Sequence, residues 1–215
     1  MNFLAKKSLG QNFLHDKKII NIISELGEIN NNDIVIEVGP GTGNLTQKLL
    51  EKKPKRLIVI EKDKRLSDGL KDKFGEKITI LNEDMLNFPF HNYLNKKIII
   101  FGNLPYNIST KILAKWIKMK YLNKICKKFV LMFQKEVADR IIAEFNTKNY
   151  GRLSIISNWR MEIEKILDIE PSSFNPSPKV KSTLLVFVPK KKFYSLKNPR
   201  NLEHITNIFF NQRRK

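Results

Sequence analysis

The sequence predicts an α/β fold, a mostly parallel sheet of seven strands with crossover helices on both faces. Three observations carry this. From about residue 19 to past Gln134, runs with strand periodicity alternate with runs of helical periodicity, the pattern of a sheet built through crossover helices. The run Ile98-Ile99-Ile100-Phe101 is apolar without alternation, as a strand covered on both faces must be. A glycine-rich turn, Gly39-Pro40-Gly41-Thr42-Gly43, lies between a strand-like run and a helix-like one.

Each element follows from local chemistry. Asp16 can cap a helix whose apolar residues Ile19, Ile20, Ile22, Ile23 and Leu26 recur at helical spacing, and Gly27 stops it. Ile34-Val35-Ile36-Glu37-Val38 reads as a buried strand, followed by the glycine turn and a helix over about 44–53. A second strand at 57–60 ends at Glu61, a polar helix runs to about Lys73, and a third strand at 78–81 ends near Asp84. The fourth, 98–101, delivers the chain into Asn103-Leu104-Pro105-Tyr106. A helix over about 109–120, a fifth strand at 129–133 and a helix from near Gln134 continue the alternation.

Past Tyr150 the pattern changes. Three prolines in Pro171-Ser172-Ser173-Phe174-Asn175-Pro176-Ser177-Pro178 remove ladder donors and fix φ, which excludes helix and central strand. The segment joins runs at 161–169 and 183–188 that should pair antiparallel at the sheet edge. Residues 190–199 form a basic linker with prolines at both ends, and 202–215 read as the start of a helix.

Composition narrows the partners. The 215 residues carry 40 Lys+Arg against 21 Asp+Glu, a formal charge of +19, so a polyanion is the leading partner. An AT-rich genome would also favour the many Lys, Asn and Ile residues. Cys126 is the single cysteine, which excludes an internal disulfide and a thiolate cluster and fits a reducing cytosol. His15, His91 and His204 are scattered, so no metal is expected. No apolar stretch approaches the about 20 residues that span a bilayer, and the N-terminus lacks a signal-peptide core. A cytoplasmic monomer is expected.

The glycine turn suits a ligand approached closely by backbone, yet it is not the G-x-G-x-x-G pattern, since Asn44 stands where a glycine is needed, and it lacks a P-loop lysine. Glu61, about twenty residues on at a strand end, is placed to grip a ribose diol, a need shared by dinucleotides and S-adenosylmethionine. Asp84 at the next strand end can meet an adenine amino group. In Asn103-Leu104-Pro105-Tyr106 the Asn side-chain oxygen and a turn carbonyl can accept both N–H bonds of an exocyclic adenine amine. That would draw the nitrogen toward tetrahedral geometry and aim its lone pair at a methyl group, while Tyr106 stacks on the base.

These motifs come in a recognisable order. Gly10-Gln11-Asn12-Phe13-Leu14, the glycine turn, Phe101-Gly102-Asn103-Leu104-Pro105-Tyr106-Asn107-Ile108-Ser109-Thr110, Gln134-Lys135-Glu136-Val137, Tyr150-Gly151-Arg152-Leu153-Ser154, Phe174-x-Pro176-x-Pro178-Lys179-Val180-x-Ser182 and Phe210-Asn211-Gln212-Arg213-Arg214-Lys215 resemble the KsgA family. These are small-subunit ribosomal RNA adenine dimethyltransferases. The resemblance implies a class I methyltransferase, Rossmann-like fold that moves methyl groups from S-adenosylmethionine to N6 of two adjacent adenosines in a hairpin loop near the 3′ end of 16S rRNA. It further implies cofactor contacts from Asn12, Leu14, Gly39, Gly41, Glu61, Asp84 and Asn103, and a target base held by Asn103, Pro105 and Tyr106 with Phe174 on its opposite face.

By the same resemblance, residues 1–189 form the catalytic domain. Residues 190–215 form a linker and the beginning of a small helical C-terminal domain, so the sequence reads as truncated. The 23S rRNA methyltransferases of macrolide resistance share the glycine turn and a similar Asn-x-Pro-Tyr site, but Leu104 and the closing motif favour the small-subunit enzymes. A binding factor that has lost its chemistry would show damage at Asn103, Tyr106 or Glu61, and these are intact. A DNA adenine methyltransferase usually has two prolines after the first residue, where Leu104 departs.

Overall fold

The computed structural model describes residues 4–6 and 9–211. Lys7 and the closing Gln212, Arg213, Arg214 and Lys215 lie outside the described residues. The chain begins with β1 (Phe13–Leu14), α1 (Lys17–Leu26), β2 (Ile34–Val38), α2 (Asn44–Glu51), β3 (Arg56–Ile60), α3 (Lys64–Phe74) and β4 (Thr79–Leu81). It continues through β5 (Ile98–Asn103), α4 (Ser109–Ile117), α5 (Leu122–Ile125), β6 (Cys126–Gln134), α6 (Lys135–Ile141) and α7 (Arg152–Arg160). Last come β7 (Met161–Ile169), β8 (Phe174–Asn175), β9 (Ser182–Pro189) and α8 (Pro199–Asn211).

Seven strands form one sheet in the order β4-β3-β2-β5-β6-β9-β7. The first five are parallel, and β9 runs antiparallel to both β6 and β7, so the expected antiparallel pair closes one edge. Side chains alternate between two apolar layers with the period of two that a strand imposes. Ile36, Ile58, Ile98 and Ile100 face Ile112, Leu113 and Trp116 of α4. Val35, Leu57, Val59, Ile99 and Phe101 face Ile20 and Ile23 of α1, Leu45 and Leu49 of α2, and Leu70 and Phe74 of α3. Both sheet faces are thus covered, which is why the central strands carry no polar alternation.

Two expectations change. Helix α7 is absent from the sequence reading because it has no apolar stripe: Ser154, Ile156, Ser157 and Arg160 are its buried residues. It is held between α4, α6 and α8, so contacts on several sides stabilise it where amphipathicity would not. Its last residue, Arg160, donates from Nη1 to the carbonyls of Ile117 and Met119 at 2.9 and 2.6 Å, satisfying the end of α4. Helix α8 packs back on α7 through Arg152 Nη1, which donates to Asn207 Oδ1 at 2.9 Å, and is tied to the end of α4 by the 2.6 Å ion pair of Lys118 with Glu203.

The second change concerns Gly27. It follows α1 as expected, but with φ −68, a conformation open to any residue. Its requirement is space: a Cβ there would stand 2.5 Å from Phe101 Cζ and 3.0 Å from Ile29 Cγ1. Gly27→Ala is therefore expected to cost about 1–3 kcal/mol by overpacking. A thermal melt should show a lowered midpoint, partly restored by Phe101→Leu in the same chain; an unchanged midpoint in the single variant would refute the contact as the reason for glycine.

Candidate active site

Strand order reverses between β2 and β5, because β3 and β4 are added on one side of β2 and β5 on the other. In open α/β sheets such a switch point opens a crevice at the carboxyl ends of the strands, and here a cavity lies beyond Val38 and Asn103. Gly39 and Gly41 build its floor. Gly39 has φ +69 and lies so near β5 that a Cβ would stand 3.2 Å from the Asn103 carbonyl; Gly41 has φ +57 and would place a Cβ 2.8 Å from the Phe13 ring.

An N-terminal strap closes the crevice from above. Asn103 Nδ2 donates to the Asn12 carbonyl at 2.8 Å, and Asn44 Nδ2 donates to the Leu14 carbonyl at 2.9 Å. Gln11 Nε2 donates to Asp63 Oδ2 at 3.1 Å, while its Oε1 accepts from the Lys6 amide at 2.8 Å. Strand β1 pairs with β8, setting Leu14 opposite Phe174. The strap thus touches the glycine turn, the acidic end of β3 and the end of β5, three segments far apart in sequence.

Two buried carboxylates line the same cavity, Glu37 and Glu61. Burial pushes the Glu37 carboxyl up to about 8, against the pull of Thr46 Oγ1, which donates to Glu37 Oε2 at 2.6 Å, and with a small further push from Glu61. Burial also raises the Glu61 carboxyl, opposed by the backbone amides of Asp63, Gly41 and Lys62; the Asp63 amide donates to Glu61 Oε1 at 2.8 Å. A concave wall with two acids, a close-approach glycine turn and the Asn103 amide fits a ligand that combines a diol with positive charge.

At the far end of the cavity the turn after β5 is tied down. Ile108 N donates to the Pro105 carbonyl at 3.1 Å, and Ser109 Oγ donates to the Tyr106 carbonyl at 3.2 Å. The Tyr106 hydroxyl meets Ser182 Oγ at 2.6 Å, and burial raises the phenol above its usual range.

Of the residues singled out from sequence, Asn12, Leu14, Gly39, Gly41, Glu61, Asn103, Pro105 and Tyr106 line this one cavity. Asp84 and Phe174 do not. Asp84 Oδ1 accepts from Leu86 N and Oδ2 from Lys62 Nζ, both at 2.9 Å, so its carboxylate caps the following turn. Phe174 is 2% exposed, its ring turned into the apolar layer beneath α1 and α2. The sequence reading missed Asn44, Asp63 and Ser182 as parts of the site. Asp63 carried a signal, two residues beyond Glu61 at a helix start; Ser182 carried none beyond its place in a motif.

Among the described residues no His, Cys, Asp and Glu group could hold a metal ion. No helix among them is long and apolar enough to cross a membrane.

The family model described as Ribosomal RNA adenine dimethylase matches residues 2–215. The chain belongs to the ribosomal RNA adenine dimethylase family. Its relatives include the Ribosomal RNA small subunit methyltransferase A of Pelagibacter ubique (strain HTCC1062), 56% identical over 211 residues that cover 98% of this chain and 80% of that protein. The namesake from Ehrlichia ruminantium (strain Gardel) is 43% identical over 216 residues, with the same two coverages, 98% and 80%.

Among solved structures, a dimethyladenosine transferase from Plasmodium falciparum matches with a TM-score of 0.82 at 33% identity, covering 94% of this chain and 72% of that one. The 23S rRNA methyltransferase ErmE matches with a TM-score of 0.75 at 25% identity, covering 93% and 79%. The seven-stranded sheet with helices on both faces is the class I methyltransferase fold that these family members share.

The buried Glu37 leads to a pH dependence. A carboxyl raised on folding contributes stability that is fully present below its unfolded value of 4.5 and is lost as pH rises through about 8. Wild-type protein should therefore lose thermal stability relative to Glu37→Gln as pH climbs from about 5 to about 8, with the loss levelling off above that as the folded carboxyl ionises. Parallel melting midpoints across that range would show that Glu37 does not titrate this way.

Proposed function

We propose that this protein transfers methyl groups from S-adenosylmethionine to N6 of two adjacent adenosines in the 3′-terminal hairpin loop of 16S ribosomal RNA, during assembly of the small subunit. The observation that carries the reading is the Asn103 amide. Its Nδ2 is engaged by the Asn12 carbonyl, so Oδ1 remains as the acceptor for a substrate amine N–H. With the Pro105 carbonyl already accepting from Ile108, the second acceptor is assigned to the carbonyl of Leu104, which also lines the cavity. Two acceptors on one amine remove its planarity and direct its lone pair, and no strong base is needed before transfer because the amine sheds its proton to water afterwards.

The cofactor, when bound, supplies an electrophilic methyl group on a cationic sulfur. Glu61 would take the ribose hydroxyls, Gly39 and Gly41 allow the backbone to come close, and Asn12 and Leu14 roof the site. Tyr106 offers its ring to the target base, an interaction worth about 1–3 kcal/mol per stacked base. The second stacking position assigned to Phe174, and the adenine contact assigned to Asp84, rest on the family resemblance alone. Residues 1–189 are assigned to the catalytic domain and 190–215 to a linker and the opening of a helical domain. The exposed Ile205, Ile208 and Phe209 on α8 support that division. A cytoplasmic monomer is part of this reading, and bacterial relatives named as ribosomal RNA methyltransferases support the cytoplasm.

The test is incubation with labelled S-adenosylmethionine and small subunits lacking the modification, followed by mapping of the label. Label on adjacent adenosines of the 16S hairpin is expected; label confined to 23S rRNA would overturn the assignment. Asn103→Ala should lower the transfer rate by about 100-fold or more, the scale of one lost transition-state contact, with RNA binding within a few-fold of wild type. Activity persisting within a few-fold would remove Asn103 from the role given to it.

A further inference from the structure

We propose that Ser182 is a positioning residue for methyl transfer, its hydroxyl holding the Tyr106 ring at the angle that stacks the target base. The inference rests on the methyltransfer reading of the cavity. Tyr106 sits on the loop between β5 and α4, and its ring lines the cavity, but the far end of that ring is anchored outside the loop. The phenol oxygen lies 2.6 Å from Ser182 Oγ.

Ser182 is a rigid post. It is 0% exposed and opens β9, where its Cα faces Gln134 of β6 on one side and Ile169 of β7 on the other. The residue before it is held too, since the Lys181 carbonyl accepts from Lys135 N at 2.9 Å. A tyrosine turns about only two side-chain torsions; fixing the loop end through the 3.2 Å bond of Ser109 Oγ to the Tyr106 carbonyl, and the tip through Ser182, leaves the ring plane no freedom. The contact ties the phenol oxygen to the sheet, so Tyr106 is assigned to act through its ring face. Ser182 also stands only eight residues beyond Phe174, in a segment where Ser177 Oγ donates to the Phe174 carbonyl at 3.2 Å, so the post and the β1–β8 pair under the strap belong to one connection.

Removing the serine hydroxyl leaves a half-buried phenol without its partner, and the ring must swing toward water to recover a hydrogen bond. Ser182→Ala is therefore expected to lower kcat by about 10-fold, the scale of one hydrogen bond, with KM for S-adenosylmethionine unchanged. Tyr106→Phe should give a similar loss, and the double variant should be no worse than either single one, as two halves of one contact require. RNA carrying 2-aminopurine at the target position reports the stack directly: its fluorescence should be quenched by wild type and less quenched by both variants. Ser182→Thr, which keeps an O–H, should retain more of the quench than Ser182→Ala.

Wild-type kcat and quench in Ser182→Ala, or losses that add in the double variant, would overturn the proposal. If Ser182→Ala does not fold, Tyr106→Phe with full quench and full kcat overturns it equally. Failure of wild-type protein to label any rRNA would instead sink the methyltransfer reading, so the two outcomes are distinguishable.

Discussion

Between β2 and β5 the chain reverses the direction in which it adds strands, and the loops leaving those two strands diverge to opposite sides of the sheet. A crevice opens where they part, because neither loop can cover the other's strand. Everything assigned to chemistry depends on that gap. The glycine turn enters it from β2, Asn103 from β5 and Glu61 from the neighbouring β3. The strands themselves are dictated by burial on both faces, so the site is mounted on the most rigid part of the molecule, as transition-state positioning demands.

The N-terminal strap turns the open crevice into an enclosed site. It docks through Leu14, buried in the apolar layer, and through side-chain amides reaching backbone carbonyls. Asn103 takes the Asn12 carbonyl, Asn44 takes the Leu14 carbonyl, and Gln11 reaches Asp63. Each of these bonds is worth only about 0.5–1.5 kcal/mol, so the strap is fixed by their number and by the Phe13 ring lying against Gly41. One consequence is that the cofactor half and the base half are not separate sites. The Asn103 amide secures the roof through Nδ2, and in the proposed reading the same side chain presents Oδ1 as the acceptor.

Charge is distributed in opposite senses inside and outside. Glu37 and Glu61 are buried against the cavity and disfavour ionisation, which suits a cationic ligand whose arrival offsets their desolvation. The +19 surplus lies on the surface. Part of it is absorbed by ion pairs such as Lys135 with Asp139 at 3.0 Å and Lys165 with Asp168 at 3.0 Å, contacts that add little stability when exposed. Lys17 and Lys18 are exposed at the start of α1, just beyond the strap, and Lys6 is committed to Asp63.

Much of this was legible from residues alone. Period-two apolar runs and the continuous Ile98–Phe101 run predicted the sheet and its buried centre, because strand geometry leaves no other way to hide such sequences. The acid at the end of β3 and the Asn-Leu-Pro-Tyr turn at the end of β5 named most of the site, because their spacing is set by the sheet. What the sequence could not express were contacts between segments that share no periodicity. Helix α7 owes its existence to neighbours on several sides, Gly27 answers to the Phe101 ring, Phe174 is buried in an apolar layer, and Asp84 is engaged by Lys62. The bond from Ser182 to Tyr106 spans 76 residues and joins the loop after β5 to the start of β9, two strands away in the sheet. Local sequence determines which residues can form strands, turns and acceptors; only the packed sheet decides which of them meet, since hydrogen-bond reach is a property of three-dimensional distance.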